Sequence, residues 1–243
     1  MNNRLVIVPT YNEIENISKI VAAVMKLSPN MDLLVVDDGS PDGTGAKIKE
    51  LQGEHHERLH LIEREGKLGL GTAYIKGFKW AIERGYLYIC EMDADFSHNP
   101  DDLLRLFDAI ENHSVDVAIG SRYVSGVNVV NWPMSRVLIS YFASVYVRLI
   151  TRMTIRDSTA GFVCYRKEVL EVIDLDKIRF KGYAFQIEMK FKAWKYRFKL
   201  EEIPIIFTDR REGTSKMSGK IVSEAIFGVL RLKISSWFRK YRR

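Results

Sequence analysis

Three carboxylates, Glu91, Asp93 and Asp95, stand two residues apart in EMDADFSHNP, directly behind the apolar run YLYIC. Like charges that close repel one another, and burial makes charge costly unless a cation compensates it. A bare D-x-D is most often a solvated turn. At the end of an apolar strand, however, two carboxylates suit Mg2+ or Mn2+, which take few protein oxygens and leave room for substrate phosphates. Ser97 shares the face of Asp93 and Asp95 if the strand runs that far. An EF-hand is excluded: counting from Asp93, position six is His98 rather than glycine, and position twelve is Leu104 rather than glutamate. Glu91 is expected in a structural ion pair rather than as a ligand.

Other stretches carry compatible chemistry. In VVDDGSPDGTG, Asp37 and Asp38 close a strand before a tight glycine- and proline-containing turn. A carboxylate there can accept hydrogen bonds from ribose hydroxyls or a base N–H, or it can cap the turn. In PTYNE, Tyr11 can stack on a base and Glu13 can accept from a ribose. GKLGLGTA contains G-x-G but not G-x-G-x-x-G, and the chain has no Walker A motif, so neither dinucleotide nor P-loop binding is indicated. Arg122 follows a strand-like run, and Arg210, Arg211 and Lys216 lie in the loop TDRREGTSKMSG, where cations suit a diphosphate.

The elements that must hold these residues alternate. The runs RLVIVPT, DLLVVDD, RLHLIER, YLYICEMD and VDVAIGSRY read as strands, with helices predicted over about 13–27, 43–52, 72–84 and 100–112. Near-continuous apolar strands fit a mostly parallel sheet covered by helices on both faces, an α/β, Rossmann-like fold. Asn99–Pro100 is a helix-start signal. EMDADFSHNP thus reads as strand end, loop and helix start, at the rim where open α/β sheets bind ligands. Beyond residue 124 the rhythm weakens. A long helix over about 133–150, a strand FVCYR, a helix over about 184–196, a strand LEEIPIIF and a final helix over about 219–238 are predicted.

Residues 1–114 carry 12 Lys+Arg against 19 Asp+Glu, while 115–243 carry 25 against 12. RLKISSWFRKYRR at the end holds six cations and no anion. A basic half implies an anionic partner such as nucleic acid, acidic lipid or a phosphorylated substrate. Cys90 and Cys164 sit in apolar runs and read as buried thiols of a reducing compartment. The longest uncharged apolar stretch, residues 137–147, is about half of the roughly 20 residues a membrane-spanning helix needs. It reads either as an ordinary buried helix or as one lying in a membrane interface beside Arg136, and WFRKYRR suits anionic headgroups.

The ordered set PTYNE, VVDDGSPDGT, GKLGLGTAY, MDADFSHNP, GSRY, KGYAFQIEM and DRREGTSK resembles the metal-dependent GT-A glycosyltransferases of family 2. Within them it resembles the dolichol-phosphate (polyprenyl-phosphate) mannose synthases, over nearly the whole chain. The resemblance implies a single GT-A catalytic domain over 1–243, with 1–124 binding the nucleotide sugar and 125–243 facing acceptor and membrane. A C-terminal amphipathic helical elaboration is expected, and no transmembrane domain; relatives that have C-terminal transmembrane helices carry them beyond this point.

It also implies donor contacts from Pro9, Tyr11, Glu13, Val36, Asp38 and Ala94, and Mg2+ or Mn2+ on Asp93 and Asp95 with Ser97 assisting. Catalytic roles fall to Asp95, Arg122, Arg210 and Lys216, the last three near the donor phosphates, while Arg136 and Gln186 match acceptor and sugar regions. The activity implied is inverting transfer of mannose from GDP-mannose to dolichyl or polyprenyl phosphate, for protein glycosylation. The place implied is the cytoplasmic face of a membrane, with small membrane subunits as possible partners and nucleic acid excluded. Two alternatives stand beside it: a UDP-glucose-dependent polyprenyl-phosphate glucosyltransferase or other family 2 enzyme, and a basic membrane- or nucleic-acid-binding protein without catalysis.

Overall fold

The computed structural model describes residues 2–182, 184–209 and 219–242, with side chains from 227 onward in the last stretch. The first half follows the predicted alternation: β1 (Arg4–Thr10), α1 (Ile14–Met25), β2 (Asp32–Asp37), α2 (Thr44–His55), β3 (Leu59–Glu63), α3 (Leu70–Glu83), β4 (Tyr88–Glu91), α4 (Asp102–Asn112) and β5 (Val117–Ser121). Next come β6 (Val129–Val130), α5 (Met134–Thr151), β7 (Val163–Arg166), α6 (Lys167–Val172), α7 (Ala184–Lys195), β8 (Leu200–Pro204), β9 (Phe207–Thr208) and α8 (Gly219–Trp237).

One seven-stranded sheet runs in the order β3-β2-β1-β4-β7-β5-β8. β7 pairs antiparallel with both β4 and β5, and the other pairings are parallel. The second half therefore completes the sheet of the first: β7 and β8 flank β5. The expected mostly parallel sheet with helices on both faces is present.

Alternation along β1 explains the two-layered core. Val6 and Val8 join Ile17, Ile20 and Val24 of α1 and Leu103, Leu106 and Phe107 of α4 on one face. Leu5 and Ile7 join Tyr74 and Phe78 of α3 and Phe185 and Met189 of α7 on the other. Each such side chain contributes about 1.5–3 kcal/mol when fully buried. Gly69 and Gly71 of GKLGLGTA serve this packing. Gly69 adopts φ +103°, and a Cβ on Gly71 would meet the Phe185 ring at 2.7 Å, so α3 starts hard against the segment before α7.

Three details differ from the sequence reading. β4 stops at Glu91, so Asp93, Asp95 and Ser97 lie on a loop rather than on one strand face. α4 starts at Asp102, and Asn99 instead accepts a hydrogen bond from the Asp101 N–H at 3.2 Å in the preceding turn. The predicted strand LEEIPIIF stops at Pro204 as β8, and its Phe207 instead forms β9, which pairs in parallel with β6; two residues are too few to show a period. Among the described residues no helix is long and apolar enough to cross a membrane.

Candidate active site

The carboxyl ends of β1, β2, β4 and β5 reach one rim, and the turns leaving them are tied together. Asp37 accepts from the hydroxyls of Thr10 at 2.8 Å and Ser40 at 2.6 Å, which makes it a turn carboxylate. Asp42 accepts from Thr44 and from the Ile14 N–H, and the Asn12 N–H donates to Ser40 Oγ at 3.0 Å. PTYNE and VVDDGSPDGT therefore form one cross-linked shelf. Within it, Pro9 pairs in register with the buried Val36, Lys67 Nζ stands 4.8 Å from the Tyr11 ring centroid, and Glu13 accepts from Asn16. Asp38 is nearly buried and accepts from Arg64 Nε at 2.6 Å. Burial pushes its carboxyl up, and Arg64 opposes this.

Beside this shelf lies a cavity of about 440 Å3. Asp93, Asp95, Ser97, Arg122, Arg136 and Gln186 all line it, so six of the sequence candidates converge. Pro9, Tyr11, Glu13, Val36, Asp38 and Ala94 do not line it; they belong to the shelf or, for Ala94, to the packed core. Arg210, Arg211 and Lys216 lie outside the described residues.

The acidic loop is braced. Asp95 Oδ1 accepts from the Ser97 N–H at 3.0 Å, and Phe96 takes φ 58° in this turn. The Asp93 N–H donates to His98 Nδ1 at 3.2 Å, which assigns the proton of the neutral ring to Nε2. Burial drives His98 down to about 4, so it stays neutral. Its ring stacks on Phe162 at 4.7 Å. Among the described residues no three His, Cys, Asp or Glu side chains gather into a complete metal cage. Two carboxylates on a cavity wall fit a divalent ion that completes its shell with substrate phosphates and water.

Arg122, also in the lining, is clamped rather than poised as an isolated charge. Its Nε and Nη2 donate to the two oxygens of Asp157, both at 2.7 Å, and Nη2 also donates to Thr159 at 2.8 Å. Burial would raise the Asp157 carboxyl, but the Arg122 guanidinium holds it below its usual range. Glu202 fixes this pair from behind by accepting from the Asp157 N–H and from Ser121 Oγ. Arg136 donates to both oxygens of Asp209 at 2.9 Å and lies 4.1 Å from the Trp132 ring centroid. β6 and β9 place Trp132 and Phe207 edge to face at 5.3 Å on this wall.

Gln186 Nε2 donates to the fully buried Glu91 at 2.7 Å. Burial pushes Glu91 up to about 8, opposed by Gln186 and by Lys190. Lys190 Nζ donates to the carbonyls of Ala160 at 2.6 Å and Gln186 at 3.3 Å, so a hydrogen bond from Gln186 stands where an ion pair of Glu91 was expected.

α5 adds apolar side chains to the lining, Ile139, Phe142, Ala143 and Val147, together with Ser140 and Tyr146, and α7 adds Ile187. The lining thus combines two carboxylates, two arginines and a set of apolar side chains.

Sequence reasoning missed Asp157, His98 and Trp132 as parts of this site. Asp157 had a weak signal, a lone carboxylate in the short segment leading into the apolar run FVCYR.

Residues 5–174 match the family described as glycosyl transferase family 2. The chain belongs to that family. This glycosyltransferase is 49% identical over 233 residues to the polyprenol monophosphomannose synthase of Mycolicibacterium smegmatis, covering 96% of this chain and 86% of the relative. It is 46% identical to the undecaprenyl-phosphate mannosyltransferase of Micrococcus luteus, covering 93% of this chain and 92% of the relative. It is 40% identical to the dolichol-phosphate mannosyltransferase of Pyrococcus furiosus, covering 93% of this chain and 62% of that longer relative.

Among solved structures, it shares its fold with the glucosyl-3-phosphoglycerate synthase of Mycobacterium tuberculosis with bound Mn2+ and UDP. That match has TM-score 0.67 and 14% identity, covering 95% of this chain and 78% of the other. The mannosyltransferase of Pyrobaculum calidifontis with GDP-Man and Mn2+ matches at TM-score 0.60 and 16% identity, covering 98% of this chain and 64% of the other. The expected GT-A-like fold and the glycosyltransferase class are both borne out.

Proposed function

We propose that this family 2 glycosyltransferase transfers mannose from GDP-mannose to a polyprenyl (dolichyl-type) phosphate with inversion, releasing GDP. The observation that carries the reading is the lining of this cavity, which falls into three kinds of side chain: the carboxylates Asp93 and Asp95, the cations Arg122 and Arg136, and apolar residues of α5. An acceptor with a phosphate on a hydrocarbon chain matches that division. The three relatives named for mannosyl transfer to polyprenol, undecaprenyl or dolichol phosphate support the acceptor class and the sugar.

In this reading the acceptor phosphate, with a second pKa of about 6, is already anionic at pH 7 and needs no general base. Its oxygen forms the new bond to the anomeric carbon from the face opposite GDP, and GDP departs with the electron pair of the broken C–O bond. His98 is neutral and its acceptor nitrogen Nδ1 is occupied by the Asp93 N–H, so it is not assigned a role as general base. Asp93 and Asp95, with Ser97 beside them, are the residues that would hold Mg2+ or Mn2+. The bound ion would supply charge neutralisation for the leaving diphosphate. Arg122, Arg210 and Lys216 are assigned the same diphosphate, and Arg136 the acceptor side.

The shelf of Pro9, Tyr11, Glu13, Val36 and Asp38, continued by Ala94, takes the nucleoside. Residues 1–124 thus serve the donor and 125–243 the acceptor, within one catalytic domain. The exposed Leu138, Phe142 and Leu149 of α5 are assigned to a peripheral position on a membrane, at its cytoplasmic face.

Turnover with GDP-mannose against UDP-glucose, on a short polyprenyl phosphate, tests the proposal. Preference for GDP-mannose with a β-linked product by NMR is expected, and preference for UDP-glucose or an α-linked product overturns it.

A further inference from the structure

Away from the cavity, the tail after α8 returns against the end of α7. There it borders an open depression of about 570 Å3, lined by Trp194, Lys195, Arg197, Phe198, Arg239 and Tyr241. The Tyr241 ring meets Tyr196 edge-on at 5.0 Å, and Lys195 Nζ stands 5.2 Å from its centroid, which anchors the tail. The lining contains three cations and no carboxylate.

More positive charge stands close by. Lys233 is held down by burial and then by the neighbouring charges of Arg152 and Lys195. Lys192 is also held down by burial; its partner Glu188 raises it again, and Arg239 works against that. Lys192 has Glu188 at 3.0 Å, whereas Lys195, Arg197, Lys233 and Arg239 form no ion pair among the described residues. Like charges gathered without a counterion raise the energy of the fold, and an anion from outside relieves that cost.

The flank of the depression narrows the choice of anion. α8 buries Val229, Leu232 and Ser236 against α5 and α7 and turns Phe227, Leu230, Ile234 and Trp237 outward. Trp237 and Phe238, which lead directly to Arg239, are 68% and 85% exposed. Aromatic side chains next to unpaired cations match the boundary of a bilayer, where rings sit at headgroup level and cations meet lipid phosphates. A dissolved anion would leave those rings in water.

We propose that this depression binds the phosphate of an anionic phospholipid headgroup, with Trp237 and Phe238 inserted into the interface beside it. This goes beyond the catalytic reading and uses it only in expecting a membrane nearby.

Flotation of the full chain with phosphatidylcholine vesicles, with and without phosphatidylglycerol, tests the assignment. Wild-type protein prefers the anionic vesicles. In Arg197→Gln/Arg239→Gln that preference drops by about thirty-fold, as expected for the loss of two charges at an anionic surface. Transfer to a short, water-soluble acceptor without vesicles stays at the wild-type rate, which reports an intact fold. Trp237→Ser/Phe238→Ser weakens binding to both vesicle types.

An unchanged preference in the double glutamine variant overturns the proposal. So does equal flotation of the wild type with both vesicle types while inorganic phosphate, but not chloride of equal ionic strength, raises its melting point, which would assign the depression to a dissolved anion. Should wild-type protein transfer no mannose, the catalytic reading fails while the vesicle result is read on its own, with circular dichroism in place of turnover as the fold control.

Discussion

Arg122 and Asp157 face each other across 35 residues of chain and meet through two parallel hydrogen bonds of 2.7 Å in the cavity wall. Both are almost wholly buried. Removing one partner of such a pair leaves an uncompensated charge and typically costs about 3–5 kcal/mol. Asp157→Ala is expected to lower Tm by about 10 °C or more in a thermal melt. A melting point within a degree or two of wild type would show that the clamp does not hold this wall.

The packing role assigned to the glycine-rich stretch gives a paired prediction. A Cβ on Gly71 meets Phe185 at 2.7 Å and the Phe180 carbonyl oxygen at 2.9 Å, whereas one on Gly53 in α2 meets nothing within 4 Å. Gly71→Ala is expected to destabilise the protein by about 1–3 kcal/mol through overpacking. Gly53→Ala is expected to stabilise it by about 0.5–1 kcal/mol through helix propensity. Chemical denaturation of both variants checks the contrast, and equal effects would contradict it.

Lys190 supplies a pH dependence. Burial lowers its ammonium from 10.5 to about 8 in the folded protein. Between those values the unfolded chain holds a proton that the folded chain has released, so folding stability from this group rises with pH over that window. Below about pH 8 both states are protonated and the contribution is flat. Relative to Lys190→Met, the wild type should therefore gain stability from about pH 8 to about pH 10.5. Parallel melts that keep a constant difference over that range would refute the assignment.

The metal assignment predicts a linked effect. Mn2+ together with GDP-mannose should raise the Tm of the wild type by mass action and leave that of Asp95→Ala almost unmoved. A full shift in the variant would remove Asp95 from the ion's ligands.

Much of this arrangement was legible in the chain. The apolar runs of β1, β2, β4 and β5 and the polar turns behind them announced both the sheet and the rim, because burial on two faces leaves no other pattern for a parallel strand. The acidic pair at Asp93 and Asp95 stood out because charge behind a buried strand needs a reason. What escaped were relationships between distant residues. Nothing local says that Asp157 returns to Arg122 or that Arg64 pairs with Asp38. The antiparallel placement of β7 between β4 and β5 likewise depends on contacts that no periodicity encodes. His98 looked like a loop residue until its ring was found between Phe162 and the Asp93 N–H.

The proposed reaction is mannosyl transfer onto a lipid phosphate at the cavity carrying Asp93 and Asp95. Its most direct measurement incubates the protein with radiolabelled GDP-mannose, a short polyprenyl phosphate and Mg2+ or Mn2+, then counts label in the organic phase. Label should accumulate with wild type, vanish with chelator, vanish when polyprenol replaces its phosphate, and fall by orders of magnitude in folded Asp95→Ala. Organic-phase label that persists with polyprenol, or near-normal transfer by Asp95→Ala, would contradict the account.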